Sequence, residues 1–182
     1  MRPTIMPIQL TTTWVLRRDS RMTNPTAQHS DRDELVELMS RYANIPDANG
    51  WDDLPPLVFC EEFFADFSAL GSPAATVPRE EWASQGKQTS SGLAATHHAI
   101  TNHLVSIDGD RASIRAHAHV EHWVSDEVAA GGPNCYLIAG FYDTTAVRTS
   151  EGWRLDSIKL TVNYQENQAV LLASLGLAPA DA

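Results

Sequence analysis

The sequence predicts an α+β fold. Four long segments, residues 97–107, 111–123, 135–148 and 153–164, are rich in β-branched and aromatic residues. Asp108-Gly109 and Ser150-Glu151-Gly152 punctuate them as hairpin turns, and residues 125–134 form a longer loop. Ahead of them the order is helix, helix, strand, helix. Helices followed by an antiparallel meander, rather than alternating with strands, exclude a parallel α/β sheet. With 182 residues, 43% of them hydrophobic, the chain fits one soluble globular domain with a substantial core.

The first helix is expected to begin at Ser30-Asp31-Arg32-Asp33, an N-cap followed by acids at the positive helix end. Leu35, Leu38, Met39 and Tyr42 then form one apolar stripe at helical spacing. Pro46 stops this helix and leaves Asp47 just beyond its end. A short second helix starts near Asp52, with Pro55 and Pro56 tolerated in its first turn. Residues 63–68 read as a strand and the Pro/Gly stretch after them as a loop. Pro78 opens a third helix that runs to about Ser90. Residues 171–177 form a short C-terminal helix. The domain is expected to span residues 30–177, with a frayed tail at 178–182.

Residues 1–21 carry four arginines against one aspartate, while the whole chain has a formal charge of −10. Residues 5–16 are interrupted by Pro7, Gln9 and three threonines, so they do not form the clean apolar core of a signal peptide. Residues 1–29 are expected to be a disordered extension outside the fold. No stretch approaches the roughly 18 apolar residues of a membrane span. An acidic surface repels phosphate backbones, so neither a membrane nor nucleic acid is expected as a partner. The two cysteines, Cys60 and Cys135, match neither a disulfide scaffold nor a zinc knuckle, and a cytoplasmic location is expected.

Six of the seven histidines lie within one 26-residue window, from His97 to His122. In residues 111–123 the even positions are Ala112, Ile114, Ala116, Ala118, Val120 and His122, an apolar face. Its alanines leave room, as on a strand that lines a pocket, and His122 stands on that apolar parity. The preceding strand depends on its turn. A two-residue turn at Asp108-Gly109 places His97 and His103 on the buried face. A three-residue loop, with Gly109 left-handed, places His98, Ile100, Asn102 and Leu104 there instead. Only the second register buries Ile100 and Leu104, and a one-residue slip moves every side chain to the other face. It is therefore the one adopted, with His97, His117 and His119 on the outer face.

Asp47 after the first helix, Thr96-His97-His98, His122 and the closing Gly152-Trp153-Arg154 resemble, in order and spacing, the SnoaL-like group of the nuclear-transport-factor-2-like superfamily. The resemblance covers residues 30–168. It implies a curved antiparallel sheet wrapped around the N-terminal helices, a cone-shaped barrel with a deep apolar pocket. It also implies catalytic roles: Asp47 orients His98, the general base, and His122 is the second histidine. Where dehydratase-like members carry substrate-polarising tyrosines, this sequence has Pro46 and Phe67.

The residue chemistry points the same way. A carboxylate beside an imidazole fixes its tautomer and raises its basicity. His122 would protonate a departing hydroxyl. Asn102, Phe67, Tyr142, Ala116 and Ala118 are the expected substrate-binding residues, while Arg148 and Arg154 read as solvated. No cofactor motif is visible, so the expectation is a cofactor-free lyase or isomerase acting on a small apolar, cyclic molecule. A homo-oligomer, dimer or trimer, is also expected. Two alternatives remain: a non-catalytic ligand-binding or oligomerising domain, and a metal enzyme using His97, His117 and His119 with Glu121.

Overall fold

The computed structural model describes residues 25–174. The elements run α1 (Pro25–Asp47), α2 (Leu54–Val58), β1 (Phe59–Asp66), β2 (Ala75–Pro78), α3 (Arg79–Ser90), β3 (Ala95–Asp108), β4 (Arg111–Trp123), α4 (Asp126–Ala129), β5 (Cys135–Thr149), β6 (Gly152–Glu166) and α5 (Ala169–Ser174). One six-stranded sheet has the order β2-β1-β6-β5-β4-β3. The meander β3–β6 is antiparallel throughout, as the turn signals imply. β1, however, joins β6 in parallel, so the sheet is mixed. It curves but does not close into the expected barrel. β2, within the stretch read as a loop, is a four-residue edge strand, too short to show an alternation.

α1 starts at Pro25, five residues before the expected Ser30 cap. The expected disordered extension therefore loses residues 25–29 to the helix; residues 1–24 and 175–182 lie outside those described. Leu35, Leu38, Met39 and Tyr42 are buried as the stripe predicts. The helix ends one residue later than expected. Asn49 adopts φ 59°, its N–H donates to Pro46 O and Gly50 N–H donates to Ile45 O. This pair of bonds is the Schellman arrangement, in which a left-handed residue satisfies the last free carbonyls. Asp47 is thus the final helical residue, held in place rather than carried on a loop.

Arg148 and Arg154 are not simply solvated. Arg148 pairs with Asp31 at 2.6 Å and lies over the Trp153 ring, while Arg154 Nε donates to Pro56 O at 2.7 Å. Together they tie α1 and the α2 region to the β5–β6 hairpin.

In β4, Ala112, Ile114, Ala116, Ala118 and Val120 are buried, as the even face predicts. The β3–β4 register matches neither hairpin considered above. Asp108 faces Arg111 across Gly109-Asp110, a two-residue turn with Gly109 at φ 63°. Near the turn Val105 and Ile107 therefore face Ile114 and Ala112, and Leu104 is 70% exposed. Asn102 and His103 then stand together between the Thr101–His117 and Leu104–Arg115 pairs. This β-bulge absorbs one residue and switches parity beyond it. Ile100 and His98 consequently face Ala118 and Val120. Ile100 beyond the bulge and Val105 and Ile107 before it are thereby all partly buried against the core, which no uninterrupted register allows, while Leu104 is left outside.

Candidate active site

The Schellman end of α1 and the far half of β3 bring Asp47 and His98 together. His98 Nδ1 lies 2.6 Å from Asp47 Oδ1. Asp47 Oδ2 accepts the His98 backbone N–H at 2.7 Å, and the Thr96 hydroxyl donates to Oδ1 at 2.8 Å. A carboxylate at the C-terminal end of a helix opposes the helix dipole, and these three donors offset that cost. Burial pushes the Asp47 carboxyl up, but the bonds and charge from His98, with Thr96, outweigh it and hold the group below its ordinary value. With Nδ1–H committed to the carboxylate, the basic lone pair of His98 is on Nε2.

His98 lines a cavity of about 230 Å³ between the sheet and the helices. Tyr42, Trp51, Phe67, Trp82, Tyr136 and Tyr142 supply aromatic wall, and Leu171 of α5 contributes from the C-terminal side. Phe67 packs on Trp82 at 4.9 Å between ring centroids. Tyr42 meets Tyr142 edge-on at 5.4 Å; their hydroxyls interact, and burial pushes Tyr142 up to about 12. A larger open groove of about 570 Å³, around Arg32, His103 and Arg115, holds no part of the Asp47–His98 pair.

His122 shares this cavity. Its ring lies 5.6 Å from that of His98, edge to face, and stacks on Tyr136 at 5.9 Å. Burial first, and the neighbouring His98 second, push its pKa down to about 4 against an opposing pull from Asp47. At pH 7 this burial favours the neutral ring of His122. A linkage follows. A histidine that ionises near 6.5 when unfolded but near 4 when folded gives stability that is complete above pH 6.5 and lost as pH falls through 4. The effect is up to about 3 kcal/mol. Urea midpoints of the wild type should fall across that window, and His122→Phe should flatten the decline. Parallel curves for the two proteins would refute it.

Phe67, Tyr142, His98 and His122 line the cavity and Asp47 stands behind His98. Three expected binding residues do not line it. Asn102 occupies the bulge at φ 56°, exposed. Ala116 and Ala118 are buried, and Ala118 belongs to the same core as Leu35, Met39 and Tyr42 of α1. The outer-face histidines are not gathered either. His117 packs on Phe141, His119 lies 3.5 Å from Glu121, and among the described residues no three His, Cys, Asp or Glu side chains are grouped to hold a metal.

Sequence reasoning missed several lining residues. Tyr42 read as core stripe, although it also reaches the cavity. Tyr136 lies on the same parity as Ile138 and Tyr142, a signal that pairing with β4 would have fixed. Trp51 and Trp82 arrive from a loop and a helix, where no strand parity applies. Thr96 carried only a motif position, not its role as a donor to Asp47.

The curved mixed sheet and its N-terminal helices have the fold of solved nuclear-transport-factor-2-like structures, with an aromatic cavity and a carboxylate–imidazole pair at its wall. A SnoaL-like domain is matched over residues 27–159, and the chain belongs to that family. The Mycobacterium tuberculosis protein Rv2910c is 33% identical over 131 residues, covering 71% of this chain and 83% of its own. The crystal structure of the Kfla4162 protein from Kribbella flavida is 46% identical with a TM-score of 0.77, covering 79% of this chain and 98% of its own. The hexachlorocyclohexane dehydrochlorinase of Novosphingobium barchaimii shares the fold with a TM-score of 0.63 at 15% identity, covering 86% and 99% of the two chains.

Proposed function

We propose that this protein is a cofactor-independent acid/base enzyme of the lyase or isomerase type, acting on a small cyclic, largely apolar molecule. The observation that carries this reading is the 2.6 Å Asp47–His98 contact at the wall of an aromatic cavity. His98 Nε2 takes a proton from a substrate carbon, and Asp47 stabilises the imidazolium that forms. The freed electron pair makes a carbon–carbon double bond as a leaving group departs with its own pair. For a hydroxyl, the imidazolium returns its proton and water leaves; in an isomerisation the proton goes back at another carbon. The apolar walls strengthen the dyad's electrostatics. A fold shared with a dehydrochlorinase is consistent with such proton abstraction.

The test is a turnover screen of single-ring hydroxylated, halogenated and carbonyl compounds, following loss of substrate with wild type beside His98→Ala and Asp47→Asn. Full activity in both variants would refute the dyad.

A further inference from the structure

Buried polar atoms in folded proteins are nearly always paired. Among the described residues, three buried side-chain nitrogens have no hydrogen-bond partner: Trp51 Nε1, His103 Nε2 and His122 Nδ1. Trp51 and His122 line the same cavity, the one that holds His98. Trp51 also packs closely on α3. It follows the Schellman end of α1, and its ring lies against Gly86 of α3, where a Cβ would stand 2.2 Å from the indole Cζ3. Only glycine lets the helix seat the ring this closely. The indole N–H of this cavity-lining residue has no acceptor, and an N–H that is buried without an acceptor favours a ligand that brings one.

We infer that Trp51 is a specificity-determining residue: its indole N–H donates to an oxygen of the ligand, and His122 Nδ1 offers the second polar contact. The cavity, smaller than the roughly 300–1,000 Å³ typical of drug-sized ligands, then takes a single-ring oxygenated compound in preference to its hydrocarbon isostere. This rests on the proposed cavity being the ligand site, but not on the dyad's chemistry.

Acetophenone and α-methylstyrene test it, since they differ only by C=O against C=CH₂. In ¹H–¹⁵N spectra of the full chain, the Trp51 indole signal is the one missing from Trp51→Phe. Acetophenone should move that proton downfield to saturation and bind about five- to tenfold more tightly than α-methylstyrene, the worth of one neutral hydrogen bond. Trp51→Phe should erase the preference, and His98→Ala should keep it. Equal affinities in the wild type, an unmoved indole proton, a preference that survives Trp51→Phe, or no binding of either probe at millimolar concentration would each overturn the inference. A wild type that shows the preference but turns nothing over in the screen would count against the acid/base reading alone.

Discussion

His98→Ala is expected to lower kcat by about 10²–10⁴-fold with little change in KM, the worth of a positioned general base. Asp47→Asn should cost a comparable factor for a different reason. The asparagine amide can donate to Nδ1, which would leave the proton on Nε2 and the lone pair facing the wrong way. Asp47→Asn also loses the charge that stabilises the imidazolium. The two variants should therefore be non-additive, because each disables the same proton transfer. Histidine ¹⁵N shifts separate chemistry from folding: the Nδ1–H tautomer of His98 should be present in the wild type and lost in Asp47→Asn. A folded Asp47→Asn that retains both tautomer and turnover would remove the orienting role of the carboxylate.

Phe59→Ala should be the most destabilising of the substitutions considered, by about 3–5 kcal/mol, from lost transfer energy plus the cavity left behind. Phe59 is fully buried, stacks on Phe63 with 4.0 Å between centroids and meets the edge of Tyr42 at 5.9 Å. Tyr42 in turn contacts Tyr142 at the cavity wall. The loss is a large fraction of the roughly 5–15 kcal/mol of an ordinary domain, so the urea midpoint should fall sharply. Phe59→Leu should cost much less, since it retains most of the buried volume. A midpoint shift under 1 kcal/mol for the alanine variant would show that the α1–β1 seam contributes less than its burial implies.

The meander and the α1 stripe were legible because their periods are long and regular: β4 alternates over its first ten residues and its bounds match the expected ones. The Asp47–His98–His122 grouping was also legible, though the route to it differed. His98 faces the cavity because a bulge at Asn102-His103 corrects a two-residue turn, not because the turn has three residues. Bulges leave no periodic trace, and a left-handed Asn reads equally well as a polar strand residue. The neutral state of His122 depends on burial by elements distant in sequence. The parallel β1–β6 pairing was hidden for a similar reason, since it joins an early strand to the last one.

The same bulge bears on how the protein behaves beside other copies of itself. β3 is a fourteen-residue strand at the open edge of the sheet, and a long free edge is a template for strand addition and aggregation. At the bulge the ladder is broken, and the His103 carbonyl is taken by Arg32 Nη2 from α1 at 3.2 Å. Removing one of the two bulge residues would leave the pairing, and therefore both faces, unchanged on either side. It would also straighten the edge. The extra residue at Asn102-His103 thus also interrupts the edge along which another strand would pair.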